Sequence, residues 1–359
     1  MKDYSVAVIG MDMGDRRSEL CALNEVRTVL WRNSVKMNRE DIQEFFESLE
    51  PTLIVLEAGT HSAWVAELLR GLGHEVIVAN PRSLRLITSS YKKNDRNDAE
   101  LLARLGLADP VLLNPIVHRS SEDRADLVFV QNRCALVEAR TKLTTSVRGI
   151  VKSFGYRLRS CSAESFHKLE QEVPECLQEQ LAPSFGCIKV LTIKIKSLDK
   201  KIETLCEEKY PETQRFRQIR GVGPVTALVF ALVIEDPSRF DDSRQVGAYL
   251  GLVPRQNQSG AVDRQLRITK AGHKYLRSLL VQCAHYILGC HGEDCDLRDF
   301  GVRLFERGGR YAKARAVVAV ARKLAILMHR LWVTGEEYDR FRVRGQRRES
   351  VKTYKLRAA

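Results

Sequence analysis

A run of helical spacing that begins near Ser120 constrains the fold of this chain more than any other feature of its sequence. Across residues 120–154 the apolar positions recur at mixed intervals of three and four, and Ser121 followed by two acids is typical of a helix N-terminus. A helix of this length needs a partner to cover its apolar side. The sequence therefore predicts a helical hairpin or coiled coil, with residues 186–208 as the returning arm.

The residues before this helix have a different pattern, in which short apolar strands alternate with helices. "PTLIVLEAG" (51–59) is continuously apolar, as a central strand covered on both faces should be. Three strands precede it, and a helix, a strand and another helix follow it. This order predicts an α/β domain with a mixed sheet. The predicted strands and the first helix lie at residues 4–10, 20–24, 27–31 and 38–49.

The whole chain divides into four predicted parts. Residues 155–185 have no clear assignment within the second part, and the third part is mainly helical. The parts are an α/β domain at 1–112, a helical coiled-coil region at 113–212, a mainly α domain at 213–340 and a basic tail at 341–359.

The charge of the chain is unevenly distributed and points to a polyanionic partner. Residues 1–112 carry 14 basic against 17 acidic residues, net −3, whereas residues 113–359 carry 44 against 28, net +16. Nucleic acid is favoured over a membrane, because no basic amphipathic segment brings exposed Trp or Phe anchors. The longest apolar run, at 225–234, is about half of what spans a bilayer, and the N-terminus becomes polar too soon for a signal peptide. We expect a cytoplasmic protein.

Four acids lie where a sheet domain exposes its functional edge. Asp12 ends the first strand, Glu57 ends the buried central strand, and Asp95 and Asp98 share one face at the start of a helix. Four converging carboxylates repel one another unless they are neutralised, and oxygen ligands of this kind suit Mg²⁺ or Mn²⁺. The pattern predicts a metal site with all four acids as ligands. Taken alone, Asp95 and Asp98 are more typical of a helix cap, and the combination with Asp12 and Glu57 favours the metal site.

Two long segments resemble a known family. The segment 54–105, with its "LEAG" and "KNDRNDA" motifs, resembles the N-terminal domain of the DEDD transposases of bacterial insertion sequences, in the group guided by a bridge RNA. The block that begins with "IRGVGPVTA" at residue 219 resembles the second domain of the same family. The resemblance covers nearly the whole chain. It implies an α/β RuvC-like (RNase H-like) fold for 1–112 and a mainly α transposase domain for 213–340.

The same resemblance assigns roles to individual residues. It implies that the four acids are catalytic and hold the metal. It also implies that Ser259, in a polar loop just before a glycine, is the nucleophile, although a Ser-Gly pair by itself is typical of a turn. A phosphoserine would retain the phosphodiester energy for rejoining, and a serine hydroxyl needs an activating base or metal. The family implies that the metal site of another protomer supplies this activation.

Candidate nucleic-acid contacts lie near both sites. The turn at Gly221 and Gly223 resembles a helix-hairpin-helix turn, whose backbone N–H groups approach a phosphate, and an ordinary helix connection is the alternative. The basic residues favour phosphate contact, with a solvated surface as the alternative. They are Lys92, Lys93 and Arg96 beside the aspartates, and Arg255, Arg264, Arg267, Lys270, Lys274 and Arg277 around Ser259.

These features together predict a metal-dependent DNA transposase or recombinase that cleaves and rejoins strands. The resemblance implies that it acts on the ends and target of its own element, as a dimer or tetramer with a non-coding bridge RNA. One alternative is a RuvC-like nuclease or junction resolvase that does not use the serine. The other is a non-catalytic nucleic-acid-binding protein, which local departures from the family pattern after Glu57 and Ser259 keep open.

Overall fold

The computed structural model describes residues 5–81, 95–259 and 262–342. The chain forms two compact units, residues 1–120 and residues 121–359. The four-part division made from the sequence remains a prediction. No helix in the described ranges is long and apolar enough to cross a membrane.

The first unit is the predicted mixed α/β domain. Its sheet has the order β3-β2-β1-β4-β5, in which β1, β4 and β5 are parallel and β1, β2 and β3 are antiparallel. The strands are β1 (Val8–Met13), β2 (Arg17–Leu23), β3 (Val29–Lys36), β4 (Leu53–Glu57) and β5 (Glu75–Ala79). The helices are α1 (Arg39–Glu47), α2 (Ser62–Gly71) and α3 (Asp95–Ala108), followed by a 3-10 turn at Pro110–Leu113.

Strand alternation gives this sheet two buried faces. On β1, Ile9 and Met11 point into a core formed with α1 and α2, where Phe46 is fully buried. Val8 belongs to a second core on the opposite face, together with Ala99 of α3. Because β1 is covered on both sides, apolar residues occupy consecutive positions along it. In β4, Ile54 and Val55 likewise lie in opposite cores, which confirms the predicted buried central strand.

A long helical hairpin opens the second unit. Its arms are α4 (Ser121–Ser153) and α5 (Glu175–Glu208). Asp126 pairs with Lys209, and Arg133 pairs with Asp199, so the arms run antiparallel. The predicted hairpin is confirmed, but α5 begins eleven residues before the predicted position 186, after a 3-10 turn at Phe166–Glu172. Phe185 stacks on Phe166 there, and this tertiary contact extends the helix beyond its clearest periodic segment.

The rest of the second unit packs around one buried helix. This helix, α7 (Pro224–Ile234), is buried at every position from Thr226 to Ile234. The other elements are α6 (Thr213–Arg217), α8 (Arg244–Tyr249), β6 (Pro254–Ser259), β7 (Val262–Ile268), α9 (Lys274–Leu288), α10 (Asp296–Glu306) and α11 (Ala312–Thr334).

Strands β6 and β7 correct one prediction. The sequence placed Ser259 in a polar loop between helical pieces, whereas it is the last residue of β6 and its backbone pairs with Val262 of β7. The strands are mostly polar, so they lack the alternating apolar face by which strands are recognised in sequence. Their stability depends instead on the antiparallel pairing itself.

Candidate active site

The carboxyl ends of β1 and β4 bring two of the predicted acids side by side. The strands are parallel and pair in register up to Met11 and Leu56. Asp12 and Glu57 are the next residues on each strand, and neighbouring strands lie about 4.8 Å apart. Both side chains are half-buried. By alternation each continues the face occupied by Val8 and Val55, which is the face that α3 covers.

Gly10 allows α3 to lie directly on β1. A Cβ at Gly10 would overlap the carbonyl oxygen of Ala99 and lie 2.6 Å from the backbone nitrogen of Ala103. Farther along α3, a Cβ at Gly106 would lie 2.4 Å from a methyl group of the Val55 side chain. The close approach of α3 to the sheet therefore requires glycine at position 10 of the strand and at position 106 of the helix.

These two contacts also determine the direction of α3. Ala99 lies over Gly10, and Gly106 lies near Val8 and Val55, so the helix runs antiparallel to β1. Its first turn, which contains Asp95 and Asp98, is therefore directed toward the strand end that carries Asp12. Asp98 is half-buried, and Asp95 is placed by its backbone, since its side chain lies outside the described part. Carboxylates in a first turn are also favoured by the helix dipole.

A cleft of about 340 Å³ opens at this edge of the sheet. Asp12 and Glu57 both line it, and Asp98 does not. Among the described side chains, which exclude that of Asp95, no three His, Cys, Asp or Glu residues form a ready-made metal site. The other lining residues are Met13, Gly14, Asp15, Ala58, Gly59, Thr60 and His61.

His61 is a lining residue that the sequence analysis did not single out. Trp64 donates from its indole nitrogen to His61 Nδ1 at 3.2 Å, and His61 Nε2 lies 3.7 Å from an Asp15 carboxylate oxygen. The bond from Trp64 assigns the imidazole proton to Nε2 when the ring is neutral. The spacing of His61 and Trp64, one helical turn apart at the start of α2, was the only sequence signal of this contact.

Glu19 is a further carboxylate that the sequence analysis missed. It lies on β2 directly opposite Asp12. Arg96 of α3 reaches it, with Nε 3.6 Å from the Glu19 Oε2 atom, while 70% of the Arg96 side chain stays exposed. Arg96, which the sequence predicts to contact phosphate, thus already has a counterion in Glu19. Lys92 and Lys93, predicted to act beside it, lie outside the described residues.

An ion-pair cluster attaches the first half of α3 to the sheet. Glu100 accepts hydrogen bonds from Arg104, on the next turn of α3, and from Arg32 of β3. Arg32 also donates to the backbone oxygen of Arg96. The hydrogen bond from Arg104, followed by that from Arg32, lowers the pKa of the Glu100 carboxyl against the opposing effect of burial. The cluster holds the helix whose first turn carries the aspartates.

Ser259 belongs to the second unit and is placed there by the β6–β7 hairpin. Its backbone pairs with Val262, and its side chain lies outside the described part, as does that of Arg264. Arg255, Arg267, Lys270 and Lys274 are exposed around this hairpin. Their predicted contacts with phosphate remain predictions.

Arg277 is engaged within the protein. Its Nη1 atom donates to the backbone oxygens of Leu250 and Ala271, at 3.0 and 2.6 Å. These bonds brace the turn that precedes α9. The position favours a structural role over the predicted contact with nucleic acid.

The turn before α7 contains two glycines, and the surrounding structure requires glycine at only the first of them, Gly221. Gly221 has φ +100°, and a Cβ there would lie 2.7 Å from the ring of Tyr286. Gly223 immediately precedes α7 and has open space around it. The neighbouring Arg220 donates to the Tyr286 hydroxyl at 3.3 Å. The turn is thus held against α9, and its predicted phosphate contact remains a prediction.

Two family models match the chain in the order of its two units. One, a DEDD transposase model of the IS110 type, matches residues 9–155, and the other, described as "Transposase IS116/IS110/IS902 family", matches residues 213–295. A putative transposase of Sinorhizobium fredii is 30% identical over 92% of this chain and 85% of its own length. The chain belongs to the IS110 family of insertion-sequence transposases.

Other relatives support this assignment over almost the full length. The transposase for insertion sequence element IS1111A of Coxiella burnetii is 29% identical over 94% of this chain and 92% of its own length. A pilin gene-inverting protein of Moraxella lacunata is 22% identical over 94% of this chain and 98% of its own length. The IS110-family chain is thus a DNA transposase, and its DEDD domain implies dependence on a divalent metal.

Proposed function

We propose that this IS110-family transposase cleaves and rejoins DNA at its acidic cleft through a covalent intermediate on Ser259. The observation that carries the proposal is the adjacency of Asp12 and Glu57 at the ends of two parallel strands, beneath the first turn of α3. The mixed sheet and the DEDD match support a RuvC-like domain. Ligand sites in open α/β sheets form at this edge.

The acids proposed from the sequence fit a hard divalent cation. Asp12 and Glu57 line the cleft, and Asp95 and Asp98 would complete the ligand set from the first turn of α3. Carboxylate oxygens are the ligands that Mg²⁺ and Mn²⁺ prefer. Bound there, the metal would polarise the scissile phosphodiester and stabilise the charge on attacking and leaving oxygens. The protein's own contribution would be to hold the four acids around the cation, with Arg96 balancing the charge of the nearby Glu19.

Ser259 would act as the nucleophile in two balanced steps. Its Oγ attacks phosphorus, the bond from phosphorus to the leaving-strand oxygen breaks, and the serine proton is passed to solvent or to the leaving oxygen. In the second step a hydroxyl of the new strand attacks the phosphoserine, the bond from Ser259 to phosphorus breaks, and the hydroxyl proton is passed to solvent while Ser259 Oγ regains a proton. The number of phosphodiester bonds is conserved, so no external energy source is required.

The net charge of +16 on residues 113–359 suits a large polyanionic partner. We propose that this basic part of the chain binds both DNA, comprising the element ends and the target, and a non-coding bridge RNA. We also propose that Ser259 of one copy works at the acidic cleft of a second copy, within a dimer or tetramer in the bacterial cytoplasm. The helical hairpin of α4 and α5 would serve as the coiled-coil region of this assembly.

Rejoining distinguishes the proposal from the nuclease alternative. One relative is named a pilin gene-inverting protein, and DNA inversion needs every cut strand to be joined again. A nuclease that discards the bond energy would not invert a gene. This favours recombination over hydrolysis for the present chain, and over the alternative of a non-catalytic binding protein.

The deciding experiment traps the adduct on Ser259. The full chain, its DNA ends and its RNA are incubated with Mg²⁺, and protein linked to labelled DNA is resolved on a denaturing gel. Wild-type protein should form the adduct and Ser259→Ala should not. The control is Ser278→Ala, which alters an exposed serine of α9 that donates a hydrogen bond to the backbone oxygen of Tyr275 one turn earlier. Cleavage by Ser259→Ala at the wild-type rate would support the nuclease alternative instead.

A further inference from the structure

A basic surface at the turn between α10 and α11 has no role in the reaction proposed above. From residue 300 to residue 335 the chain contains eight Lys and Arg residues and one acid, Glu306. Five of these cations and Tyr311 are exposed at or next to the turn. We call this set the α10–α11 surface. It comprises Arg303, Arg307, Arg310, Tyr311, Lys313 and Arg315. It lies outside both segments that match the family models.

Among the described residues, the cations of the α10–α11 surface lack counterions, whereas several other cations of the second unit have them. Elsewhere Arg217 pairs with Glu203, and Glu293 lies within ion-pair distance of both Arg220 and Arg340. Within the described ranges, none of the five cations of this surface forms an ion pair with a carboxylate. Their positive charge is therefore available to an external anion.

The lowered pKa of Lys323 is a second sign of the excess positive charge near this surface. It lies on α11 with its ammonium 3.9 Å from the centre of the Phe300 ring of α10. Burial lowers the pKa of Lys323, and the charge of Arg303 lowers it further, against a smaller opposing effect of Asp296. The excess charge thus extends from the turn onto the facing sides of α10 and α11.

Tyr311 adds a recognition element that charge alone does not require. It is 58% exposed, and the Arg310 guanidinium lies over its ring at 5.4 Å from the centroid. The guanidinium supports one face of the ring through a cation–π contact. A nucleobase is the planar group that occurs next to phosphates, and aromatic side chains beside cations form stacking platforms for unpaired bases.

The turn itself is held in a defined shape. Gly308 and Gly309 both have positive φ, +68° and +93°, which other residues rarely adopt. Arg315 of α11 donates to the carbonyl oxygen of Gly308 at 2.6 Å and thereby ties the turn to the helix. Tyr311 is consequently presented from a braced turn, and less conformational entropy is lost when a partner binds.

We propose that the α10–α11 surface binds an unpaired nucleic-acid strand, with one base stacked on Tyr311 and the flanking phosphates held by Arg307, Arg310 and Lys313. A duplex is a poor partner for Tyr311, because its bases are already stacked and paired. RNA and single-stranded DNA share the chemistry that this surface recognises. The proposal presupposes that the chain works on nucleic acid, as proposed above, but it uses neither Ser259 nor the metal.

The test is a binding measurement on the full chain in EDTA, where no cleavage occurs. Short labelled strands of RNA and DNA, a duplex of the same sequence, and heparin, which has charge but no bases, are titrated by fluorescence anisotropy. Tyr311→Ala should weaken binding of unpaired strands about tenfold, while the duplex and heparin are unaffected. Loss on RNA alone identifies RNA as the occupant, and loss on DNA alone identifies single-stranded DNA.

Matched variants separate stacking from charge and from misfolding. Tyr311→Phe keeps the ring and should bind as wild type. Tyr156→Ala removes a tyrosine of similar exposure, 53%, beyond the end of α4, and should have no effect. Replacing Arg307, Arg310 and Lys313 by Ala should reduce the salt dependence of single-strand binding by about 2 in the log–log slope.

Two results would overturn the proposal. They are unchanged single-strand binding by Tyr311→Ala and an equal loss of binding on heparin. No cleavage occurs in EDTA, so the measurement reports binding alone. Its outcome stays valid even if Ser259 proves not to be the nucleophile.

Discussion

Gly10 of β1 and Ala99 of α3 are in backbone contact, and this contact places the aspartates of α3 at the end of β1 that carries Asp12. A side chain at position 10 would hold the helix away from the strand. The candidate active site therefore depends on the absence of a single Cβ in the middle of the sheet.

We predict that Gly10→Ala destabilises the first unit by about 1–3 kcal/mol and abolishes activity, because the new methyl group meets backbone atoms that have no room to move. Urea unfolding and DNA cleavage measure the two effects. Gly71→Ala is the matched control, since a Cβ at Gly71 meets nothing within 4 Å. It should leave activity intact. A stable and active Gly10→Ala protein would show that α3 does not rest on β1 as described.

Asp12→Asn should reduce cleavage by about a hundredfold or more, because the amide removes a negative charge from the proposed metal ligands. Cleavage of labelled element ends at increasing Mg²⁺ concentration measures this. Asp15→Asn is the control from the same cleft, because 96% of the Asp15 side chain is exposed and, among the described residues, only His61 lies within ion-pair distance. Equal rates for the two variants would remove Asp12 from the proposed site.

Glu100 should make the stability of the first unit depend on pH. Its pKa in the folded protein is lowered, first by Arg104, so the stabilisation is present above its ordinary value of 4.5 and is lost as the pH falls through the folded pKa. Since Arg32 and Arg104 are 40% and 43% exposed, each pair is worth at most about 1 kcal/mol.

Glu100→Gln should therefore lower stability at neutral pH and flatten the loss of stability below pH 4.5. Chemical unfolding from pH 7 down to pH 3 shows both effects, with Glu44→Gln on the exposed side of α1 as the control. An unchanged profile for Glu100→Gln would mean that the cluster does not attach α3 to the sheet.

Arg140 should limit the stability of the helical hairpin. It is 8% exposed, its Nη1 donates to the Thr192 hydroxyl at 3.3 Å, and its Nε has no hydrogen-bond partner among the described residues. Burial of an incompletely bonded charge is costly, so Arg140→Met should stabilise the second unit by about 1 kcal/mol or more. Thermal unfolding of the full chain measures the change.

A loss of stability is expected for the same substitution at Arg133, two helical turns before Arg140 on α4. Arg133 is paired with Asp199, and Arg133→Met should destabilise the unit because it leaves that carboxylate without its partner. If both methionine variants shift the unfolding temperature in the same direction, the ion pair of Arg133 and the incomplete hydrogen bonding of Arg140 do not explain how the two side chains affect stability.

Local patterns in the chain were sufficient for much of the architecture. The apolar spacing over residues 120–154 predicted α4 almost to the residue, because a helix face is a property of neighbours three and four positions apart. The unbroken apolar run before Glu57 likewise predicted a buried strand with an acid at its end. The β6–β7 hairpin was missed, since its polar strands have no apolar face for a local pattern to reveal.

The sequence alone determined which acids the chain carries, on which elements they lie and to which family it belongs. Only the tertiary structure decided which side chains become neighbours: Asp12 beside Glu57, Glu19 opposite Asp12, and His61 on the wall of the same cleft. Strand order, register and the seating of α3 on Gly10 link residues that are distant along the chain. No spacing within a single segment contains that information, because each link is a packing contact between separate elements.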